Sequence, residues 1–187
     1  RSALAKYAPA GKSTPKKNLG RMMMTSGNVY VASVALGANY QQTIDALTEA
    51  ERFPGPAIVI AYCPCLNHGI RPGLGHSIIE ERRAVEAGYW PLYRFNPLNV
   101  ESPLTIDSYL PGPDNSGKNG SSPLTASDCY KGTPEPLSDV EEFIVGDDRY
   151  IDLRMISPER ASLLHPELQK DCNVENIDLK RRSKSPL

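Results

Sequence analysis

Two thiols, Cys63 and Cys65, flank a proline, and an imidazole, His68, follows them. Thiolate and imidazole are the side chains that hold transition metals and clusters. The preceding run Pro56-Ala57-Ile58-Val59-Ile60 is almost continuously apolar, as a fully buried parallel strand is. In open α/β sheets, ligands bind just beyond the carboxyl ends of such strands, so these thiols stand where something could be held. Zinc commonly takes four ligands in paired C-x-x-C or H-x-x-x-H spacings. Cys63-Pro64-Cys65 with His68 matches neither, and a self-contained zinc site is rejected. Spacing alone leaves two readings open, a metal ligand or inert buried thiols, and the second is the commoner.

Other reactive side chains carry weaker signals. His68 and His76 flank a Gly-rich loop, where water-exposed imidazoles are commoner than acid/base groups. Arg71 and Arg94 could meet phosphates, but a structural or surface role is the simpler expectation. Glu80-Glu81 falls in the first turn of a helix, where carboxylates complement the dipole. Cys129 and Cys172 have no implied partner.

Several elements must position the Cys65 turn. Val29–Leu36 is rich in β-branched residues and reads as a strand ended by Gly37. From Tyr40 to Arg52 the period becomes helical, with Tyr40, Ile44 and Leu47 on one face and Asn39 as cap. Pro54-Gly55 stops that helix and leads into the strand before Cys63. Strand, helix and strand predict a right-handed parallel crossover. Gly69, Pro72, Gly73 and Gly75 make a loop; Ser77 and Glu80 form a predicted capping box for a helix from Ile78 to Ala87, closed by Gly88. Tyr89–Phe95 is a third strand in which Pro91 permits pairing only at an edge or in the later half.

Residues 98–137 are rich in Pro, Gly, Ser and Asn and read as a linker or insertion; deleting Gly112–Thr133 is expected to cost little stability. Beyond it, Val140–Val145 restores order, Ser157-Pro158 starts a helix, and His165-Pro166 restarts it. Met22-Met23-Met24 is expected to be a packing segment before the first strand.

The 187 residues suffice for one domain with a core, which takes roughly 100 to 200 residues. Twenty-one basic against 22 acidic residues give a net charge of −1, which argues against a nucleic-acid or anionic-membrane partner. The basic start (Lys12, Lys16, Lys17, Arg21) and basic end (Lys180, Arg181, Arg182, Lys184) are expected to be solvated tails. No transmembrane run or secretory signal is visible. Four irregularly spaced cysteines suit a reducing compartment. The chain begins at Arg1 with an unstructured-looking stretch, so a piece cut from a longer polypeptide is expected.

The run Gly27–Gly37 resembles the corresponding run of the pyruvate:ferredoxin (flavodoxin) oxidoreductases. So do Glu49–Pro56, the turn Cys65-Leu66-Asn67-His68-Gly69, and Ala87–Arg94. The resemblance covers roughly residues 3–97 and resumes more weakly at Ser102–Ser108 and Val140–Phe143. It implies the carboxy-terminal end of a thiamine-diphosphate-binding α/β domain. The expected fold is a parallel sheet with flanking helices (residues 1–97), a long loop (98–137) and a helical C-terminal extension (138–187). The family decarboxylates pyruvate on thiamine diphosphate with Mg²⁺, makes acetyl-CoA from coenzyme A, and passes electrons through [4Fe–4S] clusters to ferredoxin or flavodoxin.

Cys65 matches the family's last thiolate ligand of the cluster nearest the thiamine, whereas Cys63 stands where the pattern has a non-ligand residue. The other ligands would lie outside this chain. Gly146-Asp147-Asp148 lacks the second glycine of the family's Gly-Asp-Gly diphosphate site, and Asn173 and Asn176 are taken as coincidence. The chain by itself is therefore expected to be inactive, with no catalytic residue of its own. Further implications are a homodimer and either an anaerobe's cytoplasm or an oxygen-poor organelle such as a hydrogenosome. Two alternatives are a related 2-oxoacid oxidoreductase with another electron acceptor, and a non-catalytic dimerisation or docking module.

Overall fold

The computed structural model describes residues 1–65, 69–108 and 139–184. The stretch Gly112–Thr133 with Cys129, and the residues 66–68 that carry His68, lie outside the described residues. The chain runs α1 (Leu19–Met24), β1 (Tyr30–Val34), α2 (Tyr40–Arg52), β2 (Ala57–Ala61), α3 (Ser77–Glu86), β3 (Tyr93–Phe95), β4 (Leu104–Ile106), α4 (Val140–Ile144), α5 (Asp148–Ile156) and α6 (Pro158–Ser183).

The four strands form one sheet in the order β2-β1-β3-β4. The β1-α2-β2 unit is parallel as expected, with Val34 beside Ala61. The sheet as a whole is mixed, not parallel: β3 runs antiparallel to β1, and β4 antiparallel to β3. The parallel expectation is corrected because a parallel neighbour needs a crossover across the sheet face. Instead α3 packs against α4, and a tight return at Asn96–Asn99 leads from β3 into β4. Only the later half of Tyr89–Phe95 pairs, and β4 forms within the stretch taken as linker.

β2 is also not the fully buried strand its composition suggests. It is the sheet's edge, and Ile58, Val59 and Ile60 are only partly covered. The central strand is β1, buried at every position. Its alternation divides the core. Tyr30, Ala32 and Val34 face Ala46 of α2, whereas Val31 joins Met24, Tyr93, Phe95, Leu104 and Leu179 on the opposite face.

The α2 helix has the expected bounds and cap, with Asn39 accepting from the Gln42 N–H, but its burial is reversed. Tyr40, Ile44 and Leu47 are 51%, 49% and 54% exposed, and the face on the sheet is Gln42 and Ala46. The small Ala46 permits close approach. Gln42 donates to the Ser33 carbonyl and to Asp107, bonds the apolar residues could not make.

Two helix boundaries differ from expectation. A 3₁₀ turn at Leu74–His76 runs straight into α3, so Ser77 is already helical and donates back to the Leu74 carbonyl. The capping box with Glu80 therefore does not form; Glu80 pairs with Arg83 instead. At the far end α6 begins with Pro158 at its first turn, but Pro166 does not restart it: one 26-residue helix runs through. The proline removes one helical N–H, and Leu164, Leu168, Cys172 and Leu179 hold the helix on the core along both halves. The C-terminal helices are thus part of the body. Val140, Phe143, Ile144, Tyr150 and Leu168 share a cluster with Ala84 of α3 and with Ala87, which caps that helix.

Candidate functional site

Cys65 lies just past β2, and the described residues on either side of its segment are tied to the fold. On the near side, the Tyr62 N–H donates to the Val34 carbonyl at 2.9 Å, extending the β1–β2 ladder by one bond. The Tyr62 ring packs edge-on against Tyr89 (6.2 Å between centroids) and tilted against Trp90 (5.2 Å). Burial pushes the Tyr62 hydroxyl well above the ordinary tyrosine range, keeping it neutral. On the far side, Ile70 makes an antiparallel bridge to Asp147, and the Arg71 N–H donates to the Gly146 carbonyl at 3.1 Å. Between them Gly69 has φ +80°, a left-handed conformation suited to glycine. A Cβ there would lie 2.1 Å from an Asp148 carboxylate oxygen.

The two thiols of the turn differ. Cys63 is exposed, and its sulfur makes only a weak contact with the Pro64 carbonyl at 3.7 Å. Cys65 is half-buried, with the buried Pro64 before it. Among the described residues no three His, Cys, Asp or Glu side chains converge as a metal group. The described part of the turn thus presents two free thiols, one exposed and one half-buried.

The remaining candidates fall elsewhere. His76 is exposed at the start of α3. Arg71 lies 3.8 Å from Asp148 at the surface. Asp147 accepts from the Arg149 N–H at the head of α5, so Gly146-Asp147-Asp148 is a capping and bracing segment. Asn173 accepts from Gln169, and Asn176 donates to the Gly88 carbonyl, both within the fold. Cys172 is buried, and its thiol is pushed up to about 12 by burial, so it is inert as a nucleophile or ligand.

Arg94, Glu80 and Glu81 prove structural. Arg94 grips Asp107 with two bonds (2.8 and 3.0 Å) and also pairs with Glu49, to which Tyr30 donates at 2.8 Å. The Asp107 hydrogen bond, opposed by desolvation, raises the Arg94 pKa. Burial, with help from the Glu49 bond, raises that of Tyr30. Glu81 accepts from the Gly37 N–H at 2.7 Å, tying α3 to the end of β1.

Sequence reasoning missed a cavity of about 610 Å³ on the inner side of the same turn. Cys63, Tyr62, Trp90, Lys16 and Arg149 line it, and α6 forms one wall through Cys172 and Glu175. The basic start that contains Lys16 reads as a solvated tail, and no local pattern marks the packing of Lys16 over Trp90.

No family model matches the chain. Curated proteins do. It is 38% identical over 183 residues to the pyruvate-flavodoxin oxidoreductase of Klebsiella pneumoniae, covering 96% of this chain and 14% of that protein. It is 41% identical over 172 residues to the pyruvate:ferredoxin oxidoreductase of Moorella thermoacetica, covering 92% and 13% respectively. The chain is homologous to a segment of these pyruvate oxidoreductases. A third relative, the mitochondrial NADP-dependent pyruvate dehydrogenase of Euglena gracilis, is 33% identical over 188 residues, covering 99% of this chain and 9% of that protein. The chain thus spans roughly a tenth of the length of the relatives it matches.

Proposed function

We propose that this chain is the cluster-proximal end of the thiamine-diphosphate domain of a pyruvate:ferredoxin or flavodoxin oxidoreductase, and that Cys65 supplies one thiolate to a [4Fe–4S] cluster. The carrying observation is the braced turn: a half-buried thiol follows a strand end, while its neighbour Cys63 faces solvent. Homology to the pyruvate oxidoreductases supplies the chemical setting. When bound, the cluster would carry single electrons away from the thiamine. This chain's own contribution is to fix one sulfur by Tyr62 on one side and Ile70 on the other, and to limit water around it. Thiamine diphosphate, Mg²⁺, pyruvate and coenzyme A would be handled by other parts of the full-length enzyme, leaving this segment inactive alone.

Two open surfaces support the reading of a segment of a larger enzyme. β2 offers an unpaired strand edge, and α2 offers the uncovered residues Tyr40, Ile44 and Leu47. Homodimer formation and ferredoxin or flavodoxin as acceptor belong to the same proposal, as does a cytoplasmic or hydrogenosomal setting. The likeness to NADP-dependent pyruvate dehydrogenases favours one second reading, an enzyme whose electrons leave by another acceptor. Among the described residues no helix is long and apolar enough to cross a membrane.

The test is Cys65→Ala in the intact parent enzyme, purified without oxygen. Iron content and low-temperature electron paramagnetic resonance should report loss of one cluster with the fold retained, and Cys63→Ala should leave the signals intact. An unchanged cluster inventory in Cys65→Ala, or loss in Cys63→Ala, would overturn the assignment.

A further inference from the structure

The cavity inside the Cys63 turn brings cationic groups against an aromatic wall. Lys16 sets its ammonium 3.9 Å from the centroid of the Trp90 ring, and among the described residues no oxygen accepts a hydrogen bond from it. Desolvation lowers the pKa of that ammonium, with Glu175 opposing the shift. Lys16 as a whole residue is exposed, so the effect is local to the charged tip against the ring. Arg149 also borders the space. It spends one terminal nitrogen on Asp147 at 2.6 Å, and among the described residues its buried Nε has no hydrogen-bond partner. The Lys16 tip is thus partly desolvated against the ring, and among the described residues no carboxylate lies within ion-pair distance of it.

The carboxylates that also line the cavity are engaged elsewhere. Asp171 accepts from the Arg1 side chain at 2.7 Å. Asp178 is shared by Arg21, Arg181 and Arg182. Glu175 accepts from the Asn18 amide at 2.8 Å, makes no ion pair with Lys16 within 4.0 Å, and is pushed towards its neutral form by burial. Opposite them Tyr62, Tyr89 and Trp90 present packed rings. About 610 Å³ lies within the size range of small-molecule pockets, roughly 300–1,000 Å³.

We propose that this cavity binds a small organic anion, a carboxylate or phosphate carried on a planar apolar body. Lys16 and Arg149 hold the charged end, and Tyr62, Tyr89 and Trp90 wall the body. The proposal stands on the cavity alone and is independent of the role of Cys65.

Trp90 is the chain's one tryptophan, so its emission reports the site directly. The purified chain is titrated with phenyl phosphate, inorganic phosphate and phenol, exciting tryptophan selectively. Phenyl phosphate should give a saturating change at least about tenfold tighter than either inorganic phosphate or phenol, since it alone satisfies both walls. Lys16→Gln should weaken phenyl phosphate by about tenfold and leave phenol unchanged, with Lys16→Arg restoring most of the loss. Lys16 is not part of the core, and an unaltered thermal melt confirms that the variants fold. Equal affinity for phenyl phosphate and phenol, an unaffected Lys16→Gln variant, or a silent Trp90 together with no heat of binding would each overturn the proposal.

Discussion

Arg94 is the residue whose type proved most informative once its surroundings were visible. A lone arginine within an aromatic strand could meet a phosphate, but here its guanidinium is consumed by Asp107 and Glu49 between the sheet and α2. The Asp107 side chain is only 3% exposed, so removing its partner leaves a buried charge uncompensated. Arg94→Met should cost about 3–5 kcal/mol in urea unfolding, while Arg71→Met, at an exposed pair, should change stability by less than about 0.5 kcal/mol. His165 is the corresponding titrating residue. Its Nδ1 accepts from Arg154 Nε at 3.3 Å, and its pKa is lowered by burial, then by Arg154, with Glu141 and a Tyr150 backbone bond opposing. The unfolded chain therefore takes up the proton first. Stability should be fully present above pH 6.5 and fall as pH drops from 6.5 through the lowered folded value, and His165→Gln should flatten that slope in a pH series of urea midpoints. A slope identical in the variant would show that other groups carry it.

At the scale of elements, α2 shows how a correct helix can still be turned the wrong way. Tyr40, Ile44 and Leu47 share a face by spacing, and spacing says only that they share it. Ala46 is fully buried against β1, where Tyr30, Ala32 and Val34 leave little room. Ala46→Leu should therefore cost about 1–3 kcal/mol by overpacking, whereas Ile44→Lys with Leu47→Gln should leave the melting temperature of this chain nearly unchanged. The reverse order of effects would mean that the apolar face is the packed one. Gly37 has a similar hidden constraint. A Cβ there would lie 2.3 Å from the Ile78 carbonyl oxygen, so the glycine that ends β1 also permits the close passage of α3.

For the whole molecule, α6 is the element that unites the sheet with the C-terminal helices. Its first half packs with α4 and α5, and its second half reaches the sheet through Leu179, which is buried among Met24, Val31, Tyr93, Phe95 and Leu104. A detachable tail would not bury a leucine there. Leu179→Ala should destabilise the entire chain by about 2–5 kcal/mol in a single cooperative transition. Melting of the helical part alone, with the sheet retained, would indicate two independent units. The same packing closes the cavity beside the Cys63 turn, since α6 supplies one of its walls.

The sequence alone determined the β1-α2-β2 unit, its Asn39 cap and the stop at Pro54. Each of these is set by near neighbours: β-branched runs, a 3.6-residue period, a side-chain cap and a proline. The tertiary structure decided the direction of β3, the edge position of β2, the inward face of α2, the unbroken course of α6 and the pairing of Lys16 with Trp90. Those outcomes depend on partners distant along the chain, such as Gln42 with Asp107 and Asn176 with Gly88. Local propensity cannot choose among faces of similar character; the choice falls to whichever arrangement buries small side chains closely and leaves each interior charge with a partner.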